Sequence, residues 1–430
     1  MNQQANSAIS EPQNIDTSYL RPAKARCLLA EWHNYADRTG KLALRRLSDV
    51  NISAMGQIPG IAHTDNRLID DCDFYAECVN DTESVTHIDG TVLYAGYLRK
   101  SWGHFLMNST ARLWPIFTAG THHFDKVIFF AEDDAPTELS GNFKEFLSLA
   151  GILDKCEILP RATYHFDDIT VGEISLEIGC YYSNEFSLPF EAARKAALAA
   201  TAKTAPSSPG GYGIILSRSN WNNNDRTQIN INRIESIFTS AGYRAVSPES
   251  IPLGELIRQM HNAGEIVSFS GSTAHNILFC DRKPLILLER CAANNVYQTG
   301  IMKMQQNQVT LIDCFFQPML TSSTDNLTIY GATEELKHYI GDRSLPMPVF
   351  NMHPRREFSR YLAVYRKHHG HGPGINEWEW QQAPAIYEAY FASRPRYGRY
   401  IDRRYPILWS DFCSPRVMAR LLKDTLRRRQ

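Results

Sequence analysis

Apolar positions fall into short runs of two kinds along the chain. Residues 212–217, 265–269, 284–288 and 309–314 are almost continuously apolar, the pattern of strands buried on both faces. Between them Ile231, Ile234, Ile237 and Phe238 recur at helical spacing, and a second helical stretch precedes residue 265. The same alternation occurs earlier: apolar strands at 91–95, 126–130 and 156–159, a helix running from 102 to about Gly120, and another over 139–150 that Gly151 stops. Residues 161–185 read as further strands at the edge of that sheet, and 190–204 as an alanine-rich helix. Strands alternating with helices at these intervals predict parallel, doubly wound α/β sheets. The Pro, Ser and Gly run 205–211 reads as a linker, so a boundary is expected near residue 210. From Glu334 onward the pattern is helical, over 334–340, 357–368, 376–390 and 414–429. The expected division is a disordered N-terminus over 1–20, an α/β domain over 21–205, a second over 206–330, and a helical extension over 331–430.

Composition narrows the class. A chain of 430 residues is long for one core, and 43% apolar with 21% charged residues is ordinary for a soluble protein. The first twenty residues lack a basic segment followed by an apolar core, and no run approaches the roughly 18 apolar residues of a spanning helix. Nine cysteines without a Cys-x-x-Cys pair fit a reducing compartment, so a cytoplasmic location is expected. The net charge of −1 conceals a basic end: residues 391–430 carry ten arginines and one lysine against three aspartates. With Tyr397, Tyr400, Tyr405 and Trp409 interleaved, that tail suits an anionic membrane surface on the inner face. It suits equally a terminal helix packed back on the first domain with a solvated basic face. No nucleic-acid motif accompanies it, so nucleic acid is not an expected partner.

The chemistry concentrates where strands end. Ser270-Gly-Ser-Thr-Ala-His-Asn276 is a small-residue turn that follows a strand and opens a predicted helix, an arrangement that can hold an anion. Gly271 allows close approach, and Ser272 and Thr273 add hydroxyl donors; small residues there also serve tight packing. Arg218 and Arg226 follow the end of the 212–217 strand, at the edge where α/β sheets bind ligands, and guanidinium groups pair with phosphate in a fork. A lone arginine more often makes a surface ion pair. Glu289 ends a strand and could accept from ribose hydroxyls, although a strand-end glutamate is commonly just solvated. His104 opens a helix where a neutral imidazole could take a proton, and Asn108 lies one turn on. His275 and Asn276 flank the anion turn, and His275 can equally pack inward. The acidic run at Asp70, Asp71 and Asp73 and the histidines 368, 369 and 371 are read as turn and loop composition, and no metal is expected.

These pieces together resemble glycosyltransferase family 61. The resemblance rests on Trp102-Gly-His-Phe-Leu-Met-Asn108 with Ala111-Arg-Leu-Trp114, on Leu216-Ser-Arg-Ser-Asn220 with Arg226 and Asn230, on Gly271-Ser-Thr-Ala-His-Asn-Ile-Leu-Phe279, and on Leu287-Leu-Glu289. It implies two Rossmann-like domains facing across a cleft, the GT-B arrangement, and inverting transfer from a nucleotide sugar without a metal or other cofactor. Carried onto this chain it places Arg218, Arg226, Gly271, Ser272, Thr273, His275 and Asn276 at the donor diphosphate and Glu289 at the nucleotide. His104 becomes the expected base, with Trp102 and Asn108 beside it on the acceptor side. The acceptor implied is a saccharide or lipid-linked saccharide of cell-surface polysaccharide or glycolipid synthesis. Two positions depart from the family: Ser270 stands where a histidine is usual, and Asn108 where an aspartate is common. The second departure keeps open a non-catalytic nucleotide- or glycan-binding protein on the same fold.

Overall fold

A six-stranded, wholly parallel sheet forms one half of the protein in the order Ile15–Tyr19, Val309–Asp313, Leu285–Glu289, Glu265–Phe269, Gly213–Leu216 and Arg244–Val246. The computed structural model describes residues 12–53, 60–63, 85–118, 123–131, 138–160, 162–200, 211–219, 228–291, 294–316 and 328–347. The expected Arg226 contact, the acidic run at 70–73, the 205–210 part of the linker, the 368–371 histidines and the basic tail lie outside them.

The reason for an all-parallel sheet is visible in its side chains. Ile214, Leu216, Ile266, Leu285 and Leu287 pack on one face while Ile215, Val267, Ile286 and Leu288 pack on the other. Period-two alternation with apolar residues at both phases requires cover on both sides, which only crossover helices supply. Ile231–Ser240 covers one face through Ile234, Ile237 and Phe238. Glu334–Asp342 joins the same cluster through Leu336, Tyr339 and Ile340, so it packs on this sheet rather than beginning a separate extension.

A further expectation is corrected by this sheet. Ile15–Tyr19, expected to be disordered, is a strand paired with Val309–Asp313, with Ile15 buried. The Pro22–Asn34 helix follows and packs on Val296–Gln305. A five-residue polar-apolar strand carries too little signal to be seen alone; the unpaired edge of Val309–Asp313 defines it.

The other sheet is mixed. Its order is Gly60–His63, Leu44–Ser53, Thr163–Gly172, Thr86–Leu98, Lys126–Ala131 and Cys156–Leu159, with the first two strands antiparallel to their neighbours and the rest parallel. Thr163–Gly172 is therefore interior and not at an edge, bonded on both sides and burying Phe166, Ile169 and Val171.

The apolar cluster does not stop at residue 210. Gly141–Leu149, Leu188–Ala199 and Leu253–Asn262 pack on one another between the sheets. One contiguous core thus joins Leu93, Val127 and Phe146 of the mixed sheet's layer to Ile257, Ile266 and Phe279 of the parallel sheet's layer. Edge-to-face rings at 5.5–5.8 Å link Phe146 to Phe279 and Phe190 to Phe279 across it. Glu145 adds a polar tie, its carboxylate accepting from the amides of Leu253 and Gly254 at 2.7 and 2.8 Å, at the first turn of the facing helix.

Candidate active site

The carboxyl ends of the strands from both sheets bring the predicted segments into contact. Thr86–Leu98 runs out through Arg99 into a short helix, Trp102–His104, and a π-helical turn, Phe105–Ser109. The long helix expected to reach Gly120 is broken here; after a turn only a 3₁₀ segment, Trp114–Ile116, follows. Phe105, Leu106 and Met107 are fully buried, so three consecutive residues need apolar cover, which a regular one-sided helix would not give. Ser109 pins the segment to the strand end: its hydroxyl donates to the Tyr97 carbonyl at 2.7 Å and accepts from the Arg99 amide at 2.9 Å.

Across from it lies the 270–276 turn. The Trp102 indole stacks between Phe105 and Phe279 and donates to Asn276 Oδ1 at 3.0 Å. Asn276 is buried and donates back to the Thr273 carbonyl at 2.9 Å. Trp102 and Asn276 therefore tie the two segments together rather than reaching out to a ligand. Gly103 is required by the same approach: a Cβ there would stand 2.8 Å from the Ser272 Cβ and 3.1 Å from His275 Nδ1.

His104 is exposed beside this contact. Its Nδ1 lies 3.2 Å from both Asn108 Oδ1 and the Tyr297 hydroxyl, and the Tyr297 ring meets it edge-on at 5.3 Å. Both neighbours can accept from Nδ1–H, and Asn108 Oδ1 can only accept. The tautomer that satisfies them leaves Nε2 unprotonated, as a proton acceptor needs to be. Tyr297 lies on the Val296–Gln305 helix, which Asn295 caps through the Gln298 amide. No local motif marked Tyr297; it reaches His104 through 193 residues of intervening chain.

His275 packs inward. It is 5% exposed, its ring stacks on Tyr297, and burial pushes its pKa down to about 3, with Arg290 and His104 nearby acting in the same direction. It is therefore a neutral structural group, and the expected donor contact is corrected. Above about pH 6.5 the imidazole is uncharged in both folded and unfolded chains. As pH falls only the unfolded chain takes the proton, so stability present above pH 6.5 is lost progressively toward pH 3. Between pH 7 and 5 this amounts to about 2 kcal/mol. His275→Asn should lose correspondingly less over that interval in denaturant unfolding; equal losses would show that the buried imidazole does not control it.

The candidate anion site gathers arginines rather than a helix terminus. The element opened by the turn is a six-residue 3₁₀ segment, Ala274–Phe279, too short for a useful dipole. The amides of Ala274 and His275 already bond to the Gly271 carbonyl. Among the described residues the amides of Ser272 and Thr273 enter no hydrogen bond, so these two can face an anion. Gly271 takes φ +116°, and a Cβ there would lie 2.9 Å from Arg290 Nη2 and 3.5 Å from Arg218 Nη1. Two guanidinium groups from different strand ends thus meet over one glycine. Arg218 is itself buried, and its loop is held by Glu235. That carboxylate accepts from the Arg218 amide and from the Ser217 and Ser219 hydroxyls at 2.7–3.0 Å. Arg290 was not singled out in the sequence, where it is one more arginine after a strand.

Glu289 is corrected more fully. It is 3% exposed, and Oε2 accepts from Lys24 Nζ at 2.6 Å. Lys24 also bonds the Cys291 carbonyl at 2.7 Å and lies 3.7 Å from Asp313, the residue paired with Glu289 in the adjacent strand. Arg21 adds its amide to the Asp313 carboxylate at 2.9 Å. The Glu289 carboxylate is committed to a buried ion pair with the N-terminal helix, not presented to a ribose.

The family model for Glycosyltransferase 61 matches residues 102–287. That segment is a glycosyltransferase family 61 domain. It begins at Trp102 and takes in His104, Arg218 and the Gly271–Asn276 turn; Glu289, Arg290 and Tyr297 fall just beyond it. No curated protein matches the chain. Among solved structures, the bacterial iron-containing dodecameric glycosyltransferase TibC from enterotoxigenic E. coli H10407 aligns at 10% identity and TM-score 0.24. The alignment covers 54% of this chain and 64% of TibC, a likeness too low to bear on the family 61 site. Among the described residues no helix is long and apolar enough to cross a membrane.

Proposed function

We propose that the protein is an inverting glycosyltransferase that moves a sugar from a nucleotide-sugar donor to a saccharide acceptor. The observation that carries this reading is the meeting of Arg218 and Arg290 over Gly271, next to the segment that presents His104. The two sheets act as the halves of a GT-B enzyme, the parallel one binding the donor. The acceptor hydroxyl oxygen bonds to the anomeric carbon from the face opposite the diphosphate. The bond from that carbon to the diphosphate oxygen breaks, and the hydroxyl proton passes to His104 Nε2. Negative charge grows on the leaving diphosphate, so guanidinium groups and amides aimed there stabilise the transition state beyond the ground state. The arginines supply the charge neutralisation that a metal ion provides elsewhere. A lipid-linked saccharide at the inner membrane surface suits the basic composition of residues 391–430.

The test is a panel of nucleotide sugars with the purified full-length protein, read as binding, slow hydrolysis and transfer. Arg290→Ala and Arg218→Ala should each lower kcat/KM by about 100-fold or more, the usual cost of one oxyanion contact. Unchanged transfer in either variant sinks the assignment of that arginine. Nucleotide-sugar binding without turnover, with and without acceptor, overturns the enzymatic reading in favour of a binding protein.

A further inference from the structure

A second cluster of chemistry-bearing side chains lies on the mixed sheet, far from the arginines. The sheet register sets Asn51 opposite His165 and His165 opposite His87, a row across three adjacent strands. Neighbouring residues Val50, Ile52, Tyr164, Phe166 and Ile88 turn to the opposite face and are buried there, so strand alternation alone sends the row outward. Asp167 joins the row two residues after His165.

The hydrogen bonds within the cluster give it a direction. His165 Nδ1 lies 3.0 Å from Asn51 Oδ1, and His87 Nδ1 lies 3.2 Å from Asp89 Oδ1. Each Nδ1–H thus has an oxygen acceptor on the outside, which turns both Nε2 atoms inward. They face Asp167 Oδ1, at 2.9 Å from His87 and 3.6 Å from His165. Asp49 Oδ1 stands 3.6 Å from the same His165 nitrogen. Neutral imidazoles held this way aim bare lone pairs at a carboxylate, an arrangement of acceptors on acceptors. It is satisfied only by positive charge placed among them, as protons on the rings or as a cation between them.

We propose that His87, His165 and Asp167 form a binding site for a first-row transition-metal dication, with Asp49 as the neighbouring carboxylate. The donor set, two imidazoles and a carboxylate, suits zinc-like ions. The three donor atoms lie within 4.8 Å of one another. Around a tetrahedral zinc the ligand atoms stand about 3.3 Å apart, so the distances here close by small side-chain movements. The oxygens on each Nδ1–H are the outer contacts that metal-bound histidines ordinarily make; they fix the tautomer and raise the basicity of the ligand nitrogen. His87 opens the Thr86–Leu98 strand, whereas His104 follows the other end of it, about 35 Å away along an extended strand. The site is thus independent of sugar transfer, and a bound ion would clasp the Thr86–Leu98 and Thr163–Gly172 strands of the mixed sheet.

Calorimetric titration of the full-length protein with Zn²⁺ tests this, together with the visible absorption of the Co²⁺-substituted protein. The expected result is one saturable equivalent with a tetrahedral Co²⁺ spectrum and a Zn²⁺-dependent rise in Tm. His165→Ala and Asp167→Ala should each weaken that equivalent by about 100-fold or more, and Asn51→Ala by about 10-fold through the outer contact. His87→Gln, at a half-exposed position, serves if either of the first two fails to fold. Replacing histidines 368, 369 and 371 should leave the equivalent in place. No saturable binding below millimolar Zn²⁺, or binding that survives His165→Ala and His87→Gln, overturns the proposal.

Discussion

His104→Ala should reduce kcat for sugar transfer by about 10²–10⁴-fold while nucleotide-sugar affinity stays within a few-fold, the signature of a lost general base. The split follows from where the groups sit. Arg218, Arg290 and the 272–273 amides gather at the Gly271 turn, whereas His104 stands on the other segment with its Nδ1 engaged by Asn108 and Tyr297. Asn108→Ala should lose part of the same activity, because an imidazole without its Nδ1–H acceptor presents the wrong tautomer more of the time. Asn108→Asp should retain activity and shift the pH–rate profile toward higher pH, since a carboxylate stabilises the protonated imidazole. This gives the asparagine a role compatible with catalysis: it orients the base and need not be one. Kinetics with isothermal binding decide the matter, and a His104→Ala variant that keeps kcat removes His104 from the mechanism.

Lys24→Met should destabilise the protein by about 3–5 kcal/mol, the usual cost of removing one partner of a buried ion pair. Lys24 and Glu289 side chains are 5% and 4% exposed, and Asp313 is wholly buried, so deletion of the ammonium leaves two buried carboxylates from paired strand positions with only Arg21, 3.8 Å from Asp313, to balance them. The Cys291 carbonyl loses its donor as well. Lys24→Met with Glu289→Gln should recover a large part of the loss, because the second change removes one of the stranded charges. Urea unfolding of the four proteins of the cycle measures this coupling. Nucleotide-sugar affinity measured on the folded double variant separates the two readings of Glu289. Near-normal affinity fits a structural carboxylate, whereas a large specific loss would return it to the ribose.

Local chemistry carried some of the site into the sequence. Gly271, Ser272 and Thr273 after an apolar strand mark a turn open to an anion whatever surrounds it, and Gly103-His104 at a strand exit marks an accessible imidazole. What failed were the inferences about the partners of His275, Asn276 and Glu289. His275 reads like Asn276 and His104 in sequence, yet its ring is buried beneath Tyr297. Glu289 reads as a strand-end carboxylate, yet its partner arrives from 265 positions away. Arg290 and Tyr297 had no distinguishing neighbours and became visible only as distances to Gly271 and His104.

The sequence by itself determined the parallel sheet, because Ile214 to Leu216, Ile266 to Phe269 and Leu285 to Leu288 are apolar at both phases of the strand period and must be covered twice. It also marked the candidate ligand edge, since small and basic residues follow those strands. Only the tertiary structure decided which polar groups remain available there. Burial and ion pairing are properties of distant segments brought together: Lys24 silences Glu289, Trp102 occupies Asn276, and Tyr297 covers His275. The periodicity of a strand is written in consecutive residues, whereas the desolvation of a charge depends on every segment that folds over it.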